Sequence, residues 1–165
     1  MRWLVIYLLL VTNTLAWDFT QDDYDNLTDN QKQVIKDSYY IGLPYDLGYT
    51  LAALAIIETK AGAVLGDTTN KICGYHQVNV YIALKYSKSK GSSKVLCEYL
   101  NTNSKLSSIM ALDNLLYWKS TTKTFNKMIK RYNRGWVPSN HDAEYIRRFE
   151  LVLNLLLKNK LKGIL

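Results

Sequence analysis

The apolar stretch 47–57 runs directly into Glu58 and continues as Thr59-Lys60-Ala61-Gly62. The polar run Gly74-Tyr75-His76-Gln77-Val78-Asn79 follows soon after. A carboxyl group at the end of a buried helix is costly to ionise, so its pKa should rise. That is the property a general acid needs near neutral pH. The two histidines, His76 and His141, lack metal-ligand spacing with each other or with the cysteines, so neither a metal nor a cofactor is expected. Asp67 and Asn70 fall in Gly66-Asp67-Thr68-Thr69-Asn70, where turn chemistry explains them better than a cation loop.

The elements that must hold Glu58 can be read from the pattern around it. Thr28-Asp29-Asn30-Gln31 matches a capping box and starts a helix at about 29–41, ended by Gly42-Leu43-Pro44. A second helix, about 46–59, is apolar nearly all round, as a central buried helix would be. The residues from Gly62 to Gly74 carry turn signals and should form a short hairpin or irregular loop. Further helices are expected near 78–86, 92–101, 107–118 and 124–134. The last, about 141–160, would be introduced by Ser139 and Asp142 as a cap pair and carries Tyr145, Phe149, Val152 and Leu156 on one stripe. The acidic stretch 17–27 reads as irregular, and Asn26-Leu27-Thr28 is a glycosylation pattern whose threonine the capping box already explains. The expected fold class is mainly α, a helical globule with a small loop or hairpin region after the helix of Glu58.

Bulk properties bound the function. With 165 residues, 48% of them hydrophobic, the chain makes one domain with a real core. Residues 1–16 read as a secretory signal: Arg2, an apolar segment, then Thr14-Leu15-Ala16 before Trp17. Residues 17–165 would then be the mature domain, a monomer exported to the periplasm or cell wall. A formal charge of +7 in an exported protein points to wall polymer or membrane surface as the anionic partner, with no nucleic acid. Lys119, Lys123, Lys127, Lys130, Arg131 and Arg134 recur mainly at three- and four-residue spacing and make a basic helical face. A solvated face is the common explanation; the functional one is a surface that holds anionic wall polymer. In an oxidising compartment Cys73 and Cys97 could pair, and two free thiols fit the sequence as well. The thirteen tyrosines and four tryptophans suit either a core or a sugar-stacking cleft.

Three separated segments carry a family resemblance that covers roughly 46–156. They are Ala55-Ile56-Ile57-Glu58-Thr59-Lys60-Ala61-Gly62, Gly74-Tyr75-His76-Gln77-Val78-Asn79 and Tyr132-Asn133-Arg134-Gly135, followed by Glu144-Tyr145-Ile146. In this order they resemble the lytic transglycosylases of the goose-lysozyme-like, lysozyme-like superfamily. In that family a helix ends in a catalytic glutamate, most often followed by serine; here Thr59 keeps the hydroxyl. The second segment is similar to Gly-x-Met-Gln-Ile-Asn, the third to Ala-Tyr-Asn-x-Gly, and Tyr145 to a late tyrosine that points at the cleft. His76 stands where methionine is usual and Arg131 where alanine is usual, which puts substrate detail in question.

The resemblance implies a peptidoglycan lytic transglycosylase with Glu58 as general acid and base. Glu58 would protonate the bond between N-acetylmuramic acid and N-acetylglucosamine, and the muramic 6-hydroxyl would attack to leave a 1,6-anhydro end. Gln77, Asn79 and Asn133 would hold acetamido groups, Thr59 would bond Glu58 or substrate, and Tyr132 and Tyr145 would stack on sugar or orient the acid. Read without the family, Glu58 could pair with Lys60, Gln77 and Asn79 could satisfy loop backbone, and Gly135 could cap a helix. The implied partner is the glycan strand of peptidoglycan. The rivals are a hydrolase of the same fold with Asp67 as second acid, a glycan-binding protein that does not cut, and a wall-opener for a secretion or conjugation apparatus.

Overall fold

Helix α3 (Gly48–Thr59) is the axis on which the rest is built, and its residues from Leu51 to Ile56 are completely removed from solvent. A helix apolar on every side must be covered on every side. Helices α2 (Asp29–Gly42), α6 (Ser104–Thr121) and α8 (Asp142–Asn159) cover it. Ala52, Ala53 and Ala55 keep its surface thin, so those neighbours can close around it. The computed structural model describes residues 17–65, 72–87, 92–135, 137 and 140–165. The signal sequence expected at 1–16, Asp67 and Asn70, and Ser139 of the expected cap pair all lie outside the described residues. Among the described residues there are eight α-helices and one two-stranded sheet, so the protein is mainly α. No helix among them is long and apolar enough to cross a membrane.

Helix α2 begins at the expected capping box, with Thr28 accepting from the Gln31 N–H and Gln31 accepting from the Thr28 N–H. A 3-10 turn, Leu43–Tyr45, carries the chain from α2 into α3. Gly42 is required there, because a Cβ would stand 2.6 Å from the Leu47 carbonyl oxygen. The expected irregularity of 17–27 is corrected by α1 (Gln21–Asp25). Thr20 and Asp23 form a second capping box, and Asp22 and Asp23 sit in the first turn, where the helix dipole favours carboxylates. The acidity is therefore what starts this short helix. Tyr24 donates to the Lys162 carbonyl at 2.9 Å and so ties the N-terminal segment to the end of the chain.

After α3 a hairpin pairs β1 (Ile72–Cys73) with β2 (Val78–Asn79), antiparallel, with Cys73 opposite Val78. Helices α4 (Val80–Ser87) and α5 (Ser93–Thr102) follow. Cys73 and Cys97 form a disulfide, Cα–Cα 5.3 Å, which fastens the hairpin to α5 and resolves the open choice between paired and free thiols. Gly74 is held against α5 and α6; a Cβ there would be 2.7 Å from Ser107 Oγ and 2.9 Å from Leu100. Helix α6 starts earlier than the periodicity indicates, because Asn103 caps it by accepting from the Leu106 N–H. Helix α7 (Phe125–Arg134) ends at Gly135 as its C-cap, and α8 packs Phe149, Val152 and Leu156 inward as the stripe requires.

Candidate active site

Glu58 lies in the last turn of α3, where the chain leaves the buried helix by an unusual route. Lys60, Ala61 and Gly62 all have positive φ, of 52°, 54° and 91°. Such a run is costly for residues with a Cβ. Hydrogen bonds around it hold it in place. The Gln31 side chain donates to the Lys60 carbonyl at 2.9 Å, and the Ala61 N–H reaches the Ala55 carbonyl at 2.8 Å. Thr59, 1% exposed, donates to the Tyr75 carbonyl at 2.7 Å and accepts from the Gly62 N–H at 2.9 Å. In place of the expected bond to Glu58, Thr59 bonds only backbone groups. Its hydroxyl joins the end of α3 to the hairpin.

Across from α3, α8 brings Tyr145 onto the carboxyl group. Its hydroxyl donates to Glu58 Oε1 at 2.5 Å. Burial pushes the Glu58 pKa up to about 7, while the Tyr145 hydrogen bond and the charge of Arg148 pull the other way. The side chain is half-buried, so it keeps a path to solvent. With Oε1 engaged by a donor, the acidic proton belongs on Oε2. Among the described residues, no second carboxylate is one of the groups that set this pKa. Lys60 does not pair with Glu58: its ammonium stands 4.5 Å above the Trp17 ring. Arg148 belongs to no motif in the sequence, and its place one turn after Tyr145 on α8 is the only signal that points to it.

Tyr132 of α7 is buried and donates to the His76 carbonyl at 2.8 Å. Burial, and then the charge of Glu58, push its hydroxyl well above the usual tyrosine range, and the same causes act on Tyr145. Both phenols therefore stay protonated and able to donate. The amides behave differently. Gln77, at φ 48°, donates from Nε2 to the Gly74 carbonyl at 3.0 Å and closes its own turn. Asn79 accepts from the Tyr81 and Ile82 N–H groups at 3.1 and 3.2 Å and caps α4. Both side chains thus satisfy backbone groups, the alternative that the sequence leaves open for them. Asn133 is half-buried, next to Tyr132 on α7.

His76 does not line a cleft, which corrects the idea that it alters what fits beside the acid. It is fully buried, with Nε2 3.1 Å from Ser38 Oγ and Nδ1 3.2 Å from Ser107 Oγ. Ser38 in turn lies 3.2 Å from Ser108 Oγ. Burial lowers the His76 pKa to about 3, so the ring is neutral. This polar cluster joins α2, the hairpin and α6 behind the acid, and fixes the carbonyl to which Tyr132 donates. Its only mark in the sequence is three serines at 38, 107 and 108, too common a residue type to stand out.

Comparison of this chain with protein-family models, with curated proteins and with solved structures finds no match.

Proposed function

We propose that this protein is a peptidoglycan lytic transglycosylase in which Glu58 serves as both acid and base. The observation that carries the reading is the carboxyl group itself: half-buried at the end of a buried helix, with a pKa of about 7 and a tyrosine donor fixed on one oxygen. In the first step the Oε2 proton passes to the glycosidic oxygen, the bond to the muramic anomeric carbon breaks, and positive charge develops there. Glu58 is then ionised, and the Tyr145 hydroxyl stabilises it by hydrogen bonding. In the second step the muramic 6-hydroxyl attacks the anomeric carbon while Glu58 takes its proton. The product is a 1,6-anhydro end; no water is consumed and the acid is regenerated. A two-carboxylate hydrolase would need a partner acid, and the candidate for that role, Asp67, lies outside the described residues.

The test is mass spectrometry of the soluble products after purified residues 17–165, as wild type and as Glu58→Gln, digest intact sacculi. Anhydromuramic ends from wild type alone are the expected result. Reducing ends would make the protein a hydrolase, with Asp67 the second acid to substitute. No release from either protein would leave a binding role.

A further inference from the structure

Away from Glu58, the junction of α6 and α7 forms a cationic groove. Two cavities of about 430 and 310 Å³ adjoin there and share Thr122 and Lys123. Lys127, Lys130 and Arg131 line the first and Lys119 the second. None of Glu58, Tyr132 and Tyr145 lines either cavity. The amphipathic pattern of α7 explains the separation: Met128, Ile129 and Tyr132 are buried, which leaves Lys127 and Lys130 for the outer side. Each cavity also holds one carboxylate, Asp142 in the first and Asp46 in the second, so the groove keeps a clear positive excess. None of the four lysines takes part in an ion pair among the described residues, whereas Arg147 is neutralised by Asp18 and Glu144.

We propose that this groove binds a linear polyanion, a flexible chain carrying repeated phosphate or carboxylate groups. Four ammonium groups spread over the end of α6, the segment after it and α7 cannot all reach one small anion, but they can meet successive charges along a chain. Lys119 lies in the last turn of α6, Lys123 in the short segment between the helices, and Lys127 and Lys130 one after the other along α7. Lysine suits this task because it acts as a mobile point charge without demanding one planar geometry. Phe125 in the second cavity is the one aromatic ring among the described lining residues of the groove, so successive bases would find no series of rings to stack on. Binding of this kind is driven by counterion release, and its affinity falls steeply with added salt. The proposal stands apart from the chemistry at Glu58.

The experiment measures binding of the full chain to fluorescent polyphosphate and poly-glutamate at low salt, with single-stranded DNA of equal charge and inorganic phosphate as comparisons. Lys123→Ala/Lys127→Ala/Lys130→Ala should weaken polymer binding at least tenfold. Lys94→Ala/Lys105→Ala/Lys158→Ala, which removes equal charge from other exposed positions, should change it less than twofold. The tighter of the two polymers identifies the anionic group. Equal losses in both triple variants would overturn the proposal, since net charge alone would then explain binding. It would also fall if neither polymer bound, if inorganic phosphate bound as tightly as the polymer, or if DNA bound tightest. Sacculus digestion reports on Glu58 independently of all these results.

Discussion

Because Glu58 titrates at about 7 instead of near 4.5, its protonated form dominates up to neutral pH. Cleavage that starts with proton donation should therefore hold steady on the acid side and decline as pH rises through about 7. Glu58→Gln keeps the shape and still accepts from Tyr145 but has no proton to give, so turnover on sacculi should drop by roughly 10²–10⁴-fold. Comparable release from this variant would sink the mechanism. Tyr145 is a positioning residue, and its signature differs. Its hydrogen bond lowers the Glu58 pKa, so Tyr145→Phe should move the alkaline limb of the rate profile to higher pH. Turnover should also fall by about tenfold, as the ionised intermediate loses a donor. A profile that loses height without moving would mean Tyr145 merely packs.

At the level of elements, the site depends on how the hairpin is anchored behind the end of α3. Thr59 reaches the Tyr75 carbonyl, Tyr132 reaches the His76 carbonyl, and the disulfide holds β1 to α5. The cysteines are 24 residues apart, which in the loop-entropy account gives about 3.5 kcal/mol. Reduction should lower stability by about that much. Hydrogen exchange should show the amides of Ile72–Cys73 and Val78–Asn79 opening first, while α3 stays protected. Uniform loss of protection would mean that the hairpin is not a separate unit. The longer helices were legible from the sequence because apolar periodicity and capping boxes are local signals. Helix α1 is not legible because its acidity reads as irregular chain, although Thr20 and Asp23 repeat the spacing of Thr28 and Gln31. The position of Glu58 was legible for the same local reason. The uses of Thr59, Gln77, Asn79 and His76 were not, since a hydroxyl, amide or imidazole serves backbone or substrate equally well, and only the fold decides. The left-handed exit after Thr59 is likewise no mark of function by itself: Lys160 and Leu161 leave α8 with φ of 49° and 53°.

For the molecule as a whole, two titratable groups, one buried and one half-buried, shape stability against pH in opposite ways. Unfolding lets His76 bind a proton below its ordinary value of 6.5, whereas in the fold it stays neutral down to about 3. Stability from this group is therefore lost as pH falls from 6.5 toward 3. Glu58 runs the other way: the unfolded chain releases its proton above about 4.5 and the fold keeps it to about 7. Stability is lost as pH rises through that window. Between about 4.5 and 6.5 the two slopes cancel, so wild type should show a plateau there and decline on either side. Glu58→Gln removes only the second slope. Its stability should match wild type at pH 4.5, pull ahead through the window, and exceed it by up to about 3 kcal/mol above pH 7. Urea unfolding of both proteins across this range checks the sign and the window together. If the curves superimpose at pH 8, Glu58 is not held in its unfavourable neutral state by the fold. If the Glu58→Gln variant gains stability while losing cleavage, the buried acid is a cost that the whole molecule bears for its chemistry.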